Sequence, residues 1–204
     1  PTLSQENKHL SDRIEHTTRR MQSLITDLLD YSNTTLGVTG FEEVELGVIV
    51  NEVLDDIEVA MIESGAVVNV QQLPKVKGDQ RQLRQLFQNL VSNALKYRKK
   101  EVTPQVHITS KLIIGAEIDC YISGERKNDP FYLVEVKDNG IGFDPDDADR
   151  IFRLFQRLHG KSEFEGTGVG LGIVQKVVEN HKGFVWAEST PGKGSTFKVL
   201  LPAK

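Results

Sequence analysis

Between residues 4 and 32 apolar side chains return at intervals of seven. Leu10, Thr17, Leu24 and Tyr31 form one lane, and Ile14, Met21 and Leu28 form a second. Two such lanes predict one long helix with a and d positions. Ile25 and Leu29 widen the apolar face towards that of a bundle, while Asp12, Arg13, Glu15, Arg19 and Arg20 lie off it. A helix this lopsided calls for a helical partner, from a second chain if none lies nearby in sequence. Docking on its own domain is the alternative. The turn-rich stretch 33–44 then reads as a linker, placing a domain change there, with residues 1–36 before it and 37–204 after it.

The pattern changes beyond the linker. Leu46, Ile49, Val50, Val53, Leu54, Ile57 and Met61 predict a helix over 45–63 that Gly65 ends. AVVNVQQL (66–73) alternates as a strand does, and Pro74 and Gly78 then punctuate. Asp79 is placed to cap a helix, with Gln82 three residues on in the capping-box pattern. Leu83, Leu86, Phe87, Leu90, Val91 and Ala94 are its buried stripe. QVHITSKL, GAEIDCYIS and PFYLVEVKD read as consecutive antiparallel strands. A variable, lid-like stretch covers 144–165. A glycine turn comes next, then a helix to about 181, and two strands joined by PGKG as a hairpin. Helices interleaved with a mostly antiparallel sheet predict an α+β fold of two layers, preceded by the long N-terminal helix.

Composition narrows the classes. The 204 residues are 38% hydrophobic with a formal charge of -4, so nothing marks nucleic acid or an anionic membrane as the main partner. Cys120 is the single cysteine, which excludes an intrachain disulfide and fits a reducing, cytoplasmic setting. No apolar run is long enough to span a bilayer, and no signal peptide opens the chain. The start at Pro1 suggests part of a longer protein, which itself could be membrane-associated. No strand-GxxxxGK[ST]-helix is present, which disfavours Walker-type ATPases.

Four stretches carry candidate chemistry. In NLVSNALKY, Asn89, Asn93 and Lys96 fall on one helix face, with Tyr97 next to them. Amide oxygens suit Mg²⁺, lysine suits phosphate, and tyrosine offers a nucleoside an aromatic edge. A solvated helix face is the plain alternative. In DNGIGF, Asp138 leaves a strand end with a carboxylate acceptor, and Gly140 and Gly142 permit close backbone approach. The same string is also an ordinary turn. In IFRLFQRLHGK, Phe152 and Phe155 can anchor a mobile segment by burial, leaving Arg153, Arg157 and Lys161 for phosphates. A short amphipathic surface helix competes with that view. In GTGVGLG, Gly166, Gly168, Gly170 and Gly172 free backbone N–H groups at a helix start, as an anion cradle, a hinge or a plain loop would.

In combination these motifs are far more specific. Asn-x3-Asn-x2-Lys, Asp-x-Gly-x-Gly, Phe-x2-Phe and Gly-x-Gly-x-Gly, in that order, resemble the Bergerat-fold ATP-binding domain of two-component sensor histidine kinases. The long stretches GDQRQLRQLFQNLVSNALKY and FQRLHGKSEFEGTGVGLGI are most like phytochrome-related and PAS-linked bacterial kinases. RMQSLITDLLDYS resembles the second helix of the family's dimerisation hairpin. The resemblance implies binding of ATP with Mg²⁺ at Asn93 and Asn89 beside it. Lys96 would touch phosphate and Tyr97 the nucleoside. Asp138 would read the adenine amino group in a pocket shaped by Gly140 and Gly142. Gly166, Thr167, Gly168, Val169, Gly170 and Leu171 would form the phosphate wall, with Phe155 and Arg157 on the lid and Thr196 near the adenine. It also implies a homodimer through the N-terminal helix, a response-regulator partner and no direct membrane contact.

One feature departs from the family. The acceptor histidine of such kinases sits in a His-Glu or His-Asp motif followed by a proline. His9, His16, His107, His159 and His181 all lack that context. The expectation is that the acceptor lies on a hairpin helix upstream, so that this chain holds the nucleotide and lacks the target. Relatives of the same fold that hydrolyse ATP or phosphorylate serine carry glutamate where Asn89 stands. An amide cannot serve as a general base, whereas imidazole is already a good nucleophile, so Asn89 favours histidine as acceptor. A nucleotide-binding or dimerising scaffold without phosphotransfer is the rival class.

Overall fold

The computed structural model describes residues 5–35, 40–118, 124–158, 164 and 166–203. Helix α1, Gln5–Thr35, runs three residues past the predicted end. Strand β1, Glu42–Glu45, comes next and pairs antiparallel with β3, Lys75–Gly78. Both strands fall where the sequence suggests linker and punctuation. Their alternate residues Val44 and Val76 are buried, and two such short runs carry little periodic signal on their own.

The predicted helix over 45–63 is two helices, α2 (Leu46–Asp56) and α3 (Glu58–Ser64), parted at Ile57. Gly65 adopts φ 65° and stops α3, as a left-handed glycine should. Helix α4, Gln80–Lys96, begins under Asp79, whose Oδ1 accepts from the Gln82 N–H at 3.0 Å. The return bond of a capping box is made differently. The Asp79 N–H donates to His181 Nε2 at 3.0 Å, while Gln82 Oε1 accepts from Asn180.

A five-stranded sheet supports the helices. Its order is β2 (Val67–Val70), β4 (Gln105–Ile114), β5 (Pro130–Asp138), β7 (Gly194–Pro202) and β6 (Phe184–Thr190). Only the β2–β4 pair is parallel, so the sheet is mostly antiparallel as expected. The middle strand predicted at 115–123 does not form over its described part. Gly115–Ile118 is a 3₁₀ turn, Gly124–Asn128 is a second, and β5 pairs directly with β4. Cys120 lies outside the described residues. The β6–β7 hairpin closes at the predicted PGKG turn, where Gly192 takes φ 77°.

Helices α2, α4 and α5 (Gly170–Asn180) cover one face of the sheet, giving the two-layer α+β architecture. Leu86, Phe87, Leu90, Ile173 and Val177 pack there against Val106, Ile108, Val134, Val136 and Val199. Period-two alternation sends Phe131, Leu133, Trp186 and Leu200 to the opposite face, where they form a smaller cluster beneath Arg126. Lys198 pairs there with Glu188 at 2.6 Å.

Helix α1 has an exposed stretch and a docked end. Leu10, Ile14, Met21, Ile25, Leu28 and Leu29 are exposed, as an unpaired seam would be. Its last turns instead dock on the rest of the chain. They run along α5, Tyr31 packs on the main core and Thr34 is buried. The backbones of His9 and His16 lie on α1, and His159 lies outside the described residues. No helix among the described residues is long and apolar enough to cross a membrane.

His181 locks the α5 end to the α4 start. Its Nδ1 bonds the Val177 carbonyl at 2.7 Å, and its Nε2 accepts from Asp79, so the ring is held neutral. Phe41 lies edge-on to it at 5.2 Å, and burial lowers its pKa from the usual 6.5. The unfolded chain therefore takes up a proton at higher pH than the folded one. The stabilisation is present above about pH 6.5 and is lost as pH falls towards the folded value. Urea midpoints measured between pH 7.5 and 5 should fall for the wild type, and fall less for His181→Asn, which cannot titrate.

Candidate functional site

The strand ends and the helix layer leave a cavity of about 580 Å³, counted to its open mouth. That size suits a small-molecule ligand. Asn93 and Tyr97 enter it from α4, Asp138 and Gly142 from the β5 end, Leu171 from α5, and Arg157 from the segment after Phe152. These six predicted residues share one wall system although they run from position 93 to position 171. Ile141, Phe143, Ile151, Leu158 and Phe197 supply an apolar lining that sequence reasoning does not assign to the site. Gln156 and Ser195 complete it.

Asp138 is the most constrained polar group. Its Oδ1 accepts from the Gly140 N–H at 2.8 Å and the Ser195 N–H at 3.2 Å. Burial raises its pKa, opposed by those two N–H groups and by the charge of Lys99. With Oδ1 engaged, Oδ2 is the acceptor open to a ligand amino group. The turn after β5 is stitched to α4, since the Ile141 N–H donates to the Tyr97 carbonyl at 2.9 Å. Asn139 is structural, accepting from the Gln105 N–H and donating to Thr103. Gly140 has no room for a side chain, because a Cβ would lie 2.5 Å from the Tyr97 carbonyl oxygen.

Thr196 is a correction. Strand alternation gives the pocket Ser195 and Phe197, while Thr196 points to the other face, opposite Lys137. Phe155 is a second. It is 57% exposed with φ 63°, whereas Phe152, the other expected anchor, is buried and Ile151 is buried beside it. The left-handed backbone turns its ring outward and lets the Phe155 N–H donate to the Gly168 carbonyl at 2.9 Å. No helix forms over 151–158. Lys161 lies outside the described residues.

Lys96, Asn89 and the glycine turn do not line the cavity; Lys96 adjoins it through Tyr97, and Gly168 through Gln156 and Arg157. Lys96 Nζ sits 4.6 Å from the Tyr97 ring centre and 2.3 Å from where Gly166 would carry a Cβ. Asn89 Nδ2 donates to the Gln85 carbonyl at 2.9 Å, and its Oδ1 faces Gly170. Gly166 and Gly168 take φ 145° and 80°, conformations that disfavour any side chain. Val169 is buried as the residue before α5, and Gly170 and Gly172 lie inside the helix. Thr167 Oγ1 accepts weakly from the Val169 N–H at 3.4 Å. Sequence reasoning misses Phe164, whose ring meets Tyr97 at 5.1 Å and whose carbonyl accepts from Arg157.

The donors fit Mg²⁺ in a particular way. Among the described residues no cluster of three His, Cys, Asp or Glu side chains could hold a metal. Amide oxygens of Asn93 and Asn89 are available, and a hard cation held by so few protein oxygens takes the rest from phosphates and water.

Residues 78–204 match the family model described as histidine kinase-, DNA gyrase B- and HSP90-like ATPase. The chain belongs to this family, and its relatives include cyanobacterial phytochromes and sensor histidine kinases. It is 42% identical over 182 residues to cyanobacterial phytochrome A of Nostoc sp., covering 89% of this chain and 22% of that protein. It is 30% identical over 211 residues to the sensor histidine kinase WalK of Bacillus subtilis, covering 98% and 32%. The chain thus spans only a minor part of these relatives' lengths. Full-length ShkA in complex with AMPPNP superposes with TM-score 0.71 at 22% identity, over 99% of this chain and 40% of that one. The catalytic domain of the histidine kinase ThkA gives 0.63 at 22% identity, over 81% and 97%. The structural likeness establishes the fold.

Gly142 offers a direct check of the pocket geometry. It has φ 66°, and a Cβ there would come within 2.2 Å of the Thr190 carbonyl oxygen. Gly142→Ala should lower stability by at least about 1–3 kcal/mol through backbone strain alone, read as a reduced denaturation midpoint.

Proposed function

We propose that the cavity binds Mg²⁺-ATP for transfer of the γ-phosphoryl group to a histidine imidazole outside these residues, within two-component signalling. The observation that carries this is the convergence of Asn93, Asp138 and Arg157 on one cavity with the glycine turn adjoining it. The complex of ShkA with AMPPNP supports a nucleotide there.

In this reading Asp138 Oδ2 accepts from the adenine amino group, between the walls of Ile141, Phe143 and Phe197. Tyr97 borders the nucleoside. Lys96, Arg157 and the N–H groups of residues 166–170 neutralise and orient the phosphates. Asn93, with Asn89 beside it, would hold Mg²⁺, which would supply charge neutralisation of the transferring group. Catalysis then rests on positioning and electrostatics, with no general base at Asn89. The scaffold alternative is not favoured, because the chain belongs to the ATPase family and is similar to the sensor histidine kinase WalK. Residues 1–36 would serve dimerisation through the exposed lanes of α1. A response regulator would receive the phosphoryl group, and the setting would be cytoplasmic.

Calorimetry with Mg²⁺-ATP tests the site. Asn93→Ala and Asp138→Asn should each weaken binding about 10- to 100-fold, the size of one lost hydrogen bond to a charged or buried group. With γ-labelled ATP this chain should stay unlabelled, and a longer chain carrying an upstream helix with its acceptor histidine should become labelled. Labelling at His16, or undiminished binding by both variants, would sink the proposal.

A further inference from the structure

The end of α1 is held by side-chain bonds on one helical face. Asp27 Oδ2 accepts from the Thr167 hydroxyl. Gln85 Nε2 donates to Asp30 Oδ2 at 3.4 Å, and Asn180 Nδ2 donates to the Thr34 carbonyl at 2.8 Å. Positions 27, 30, 31 and 34 are three or four apart, so they share a face, and Tyr31 adds its packing on the core. Tyr31 also ends one of the apolar lanes, so the docked face takes in the end of that lane while Met21, Ile25, Leu28 and Leu29 stay exposed.

The partner of Asp27 matters most. Thr167 lies between Gly166 and Gly168, in the turn that the proposed function gives to the triphosphate, and the role of Asp27 rests on that reading. A carboxylate carried by a separate element therefore sits on a loop built to receive anions. A threonine hydroxyl has one proton to donate, and Asp27 takes it. A phosphate oxygen arriving at the turn meets an occupied donor and a negative charge beside it. Lys96 Nζ stands at the same turn, beside Gly166.

We propose that Asp27 is a built-in competitor of the nucleotide's phosphates, so that docking of α1 and binding of ATP oppose each other. In the nucleotide-free chain the carboxylate latches the helix to the glycine turn. When phosphates enter, the latch opens and the end of α1 is freed. The coupling is reciprocal: undocking α1 tightens nucleotide binding by the same factor that nucleotide loosens α1.

The experiment compares wild type, Asp27→Ala and Asn180→Ala, all as the full chain. A nonhydrolysable ATP analogue with Mg²⁺, and separately adenosine, are titrated by calorimetry. Asp27→Ala should bind the triphosphate about fivefold or more tightly than wild type, and adenosine unchanged. Asn180→Ala, which releases the far end of the latch without touching the turn, should tighten the triphosphate as well. Amide exchange over 24–34 of the wild type should speed up when the analogue is added. Equal triphosphate affinity in wild type and Asp27→Ala, an equal gain for adenosine, or protection of 24–34 by the analogue would each overturn the latch. Absence of binding of both ligands by all three proteins would instead overturn the nucleotide site itself.

Discussion

A carboxylate gripped by two backbone N–H groups organises this domain. Asp138 is nearly buried, and an ionised carboxylate out of water costs several kcal/mol unless it is satisfied. The N–H groups of Gly140 and Ser195 meet that need with bonds to a charged acceptor, each worth about 1.5–3 kcal/mol. They come from two separate places, the turn after β5 and the start of β7. Satisfying one oxygen therefore fixes the turn against the hairpin. The approach is so close that Gly194 could carry no Cβ, which would fall 2.1 Å from the Asp138 carbonyl oxygen. The pocket floor exists because these backbones touch.

The helix layer meets this floor through a second set of polar ties. The Tyr97 carbonyl receives the Ile141 N–H, and His181 receives the Asp79 N–H. Both ties join a helix end to an element distant in sequence. Helix ends leave backbone groups without intrahelical partners, and here those groups fasten α4 to the pocket turn at one end and to α5 at the other. The apolar core fixes how far apart sheet and helices lie, while the Tyr97 tie fixes α4 against the turn.

Legibility from sequence tracks the strength of local signals. The amphipathic stripe of α4 and the Asp79 cap are plain, because period and cap chemistry agree there. Asn93, Asp138 and Gly142, which line the cavity, are legible from the ordered combination of motifs, since each stretch alone reads as a helix face or a turn. The short strands β1 and β3 are not, since four residues hold barely two alternations. GAEI looks like strand because its apolar content fits one, yet Gly115 packs against the Arg126 carbonyl and bends the chain. Thr196 and Ser195 can be told apart only by strand register, which lies in pairing and not in residue type. Phe155 escapes for a related reason: a positive φ at a non-glycine residue leaves no mark in the sequence. His181, an ordinary residue in ENHKG, gains its role from a contact across 102 positions.

The bond from the Phe155 N–H to the Gly168 carbonyl closes the base of the segment that runs between them. Its two ends are fastened to each other before any of the intervening residues is considered. Extending a loop whose ends are already together costs little, about 0.6 kcal/mol for each doubling of its length. A change of length between Leu158 and Gly168 is thus mechanically insulated from Asn93 and Asp138, while Gln156, Arg157 and Leu158, which line the cavity, stay next to the closed base.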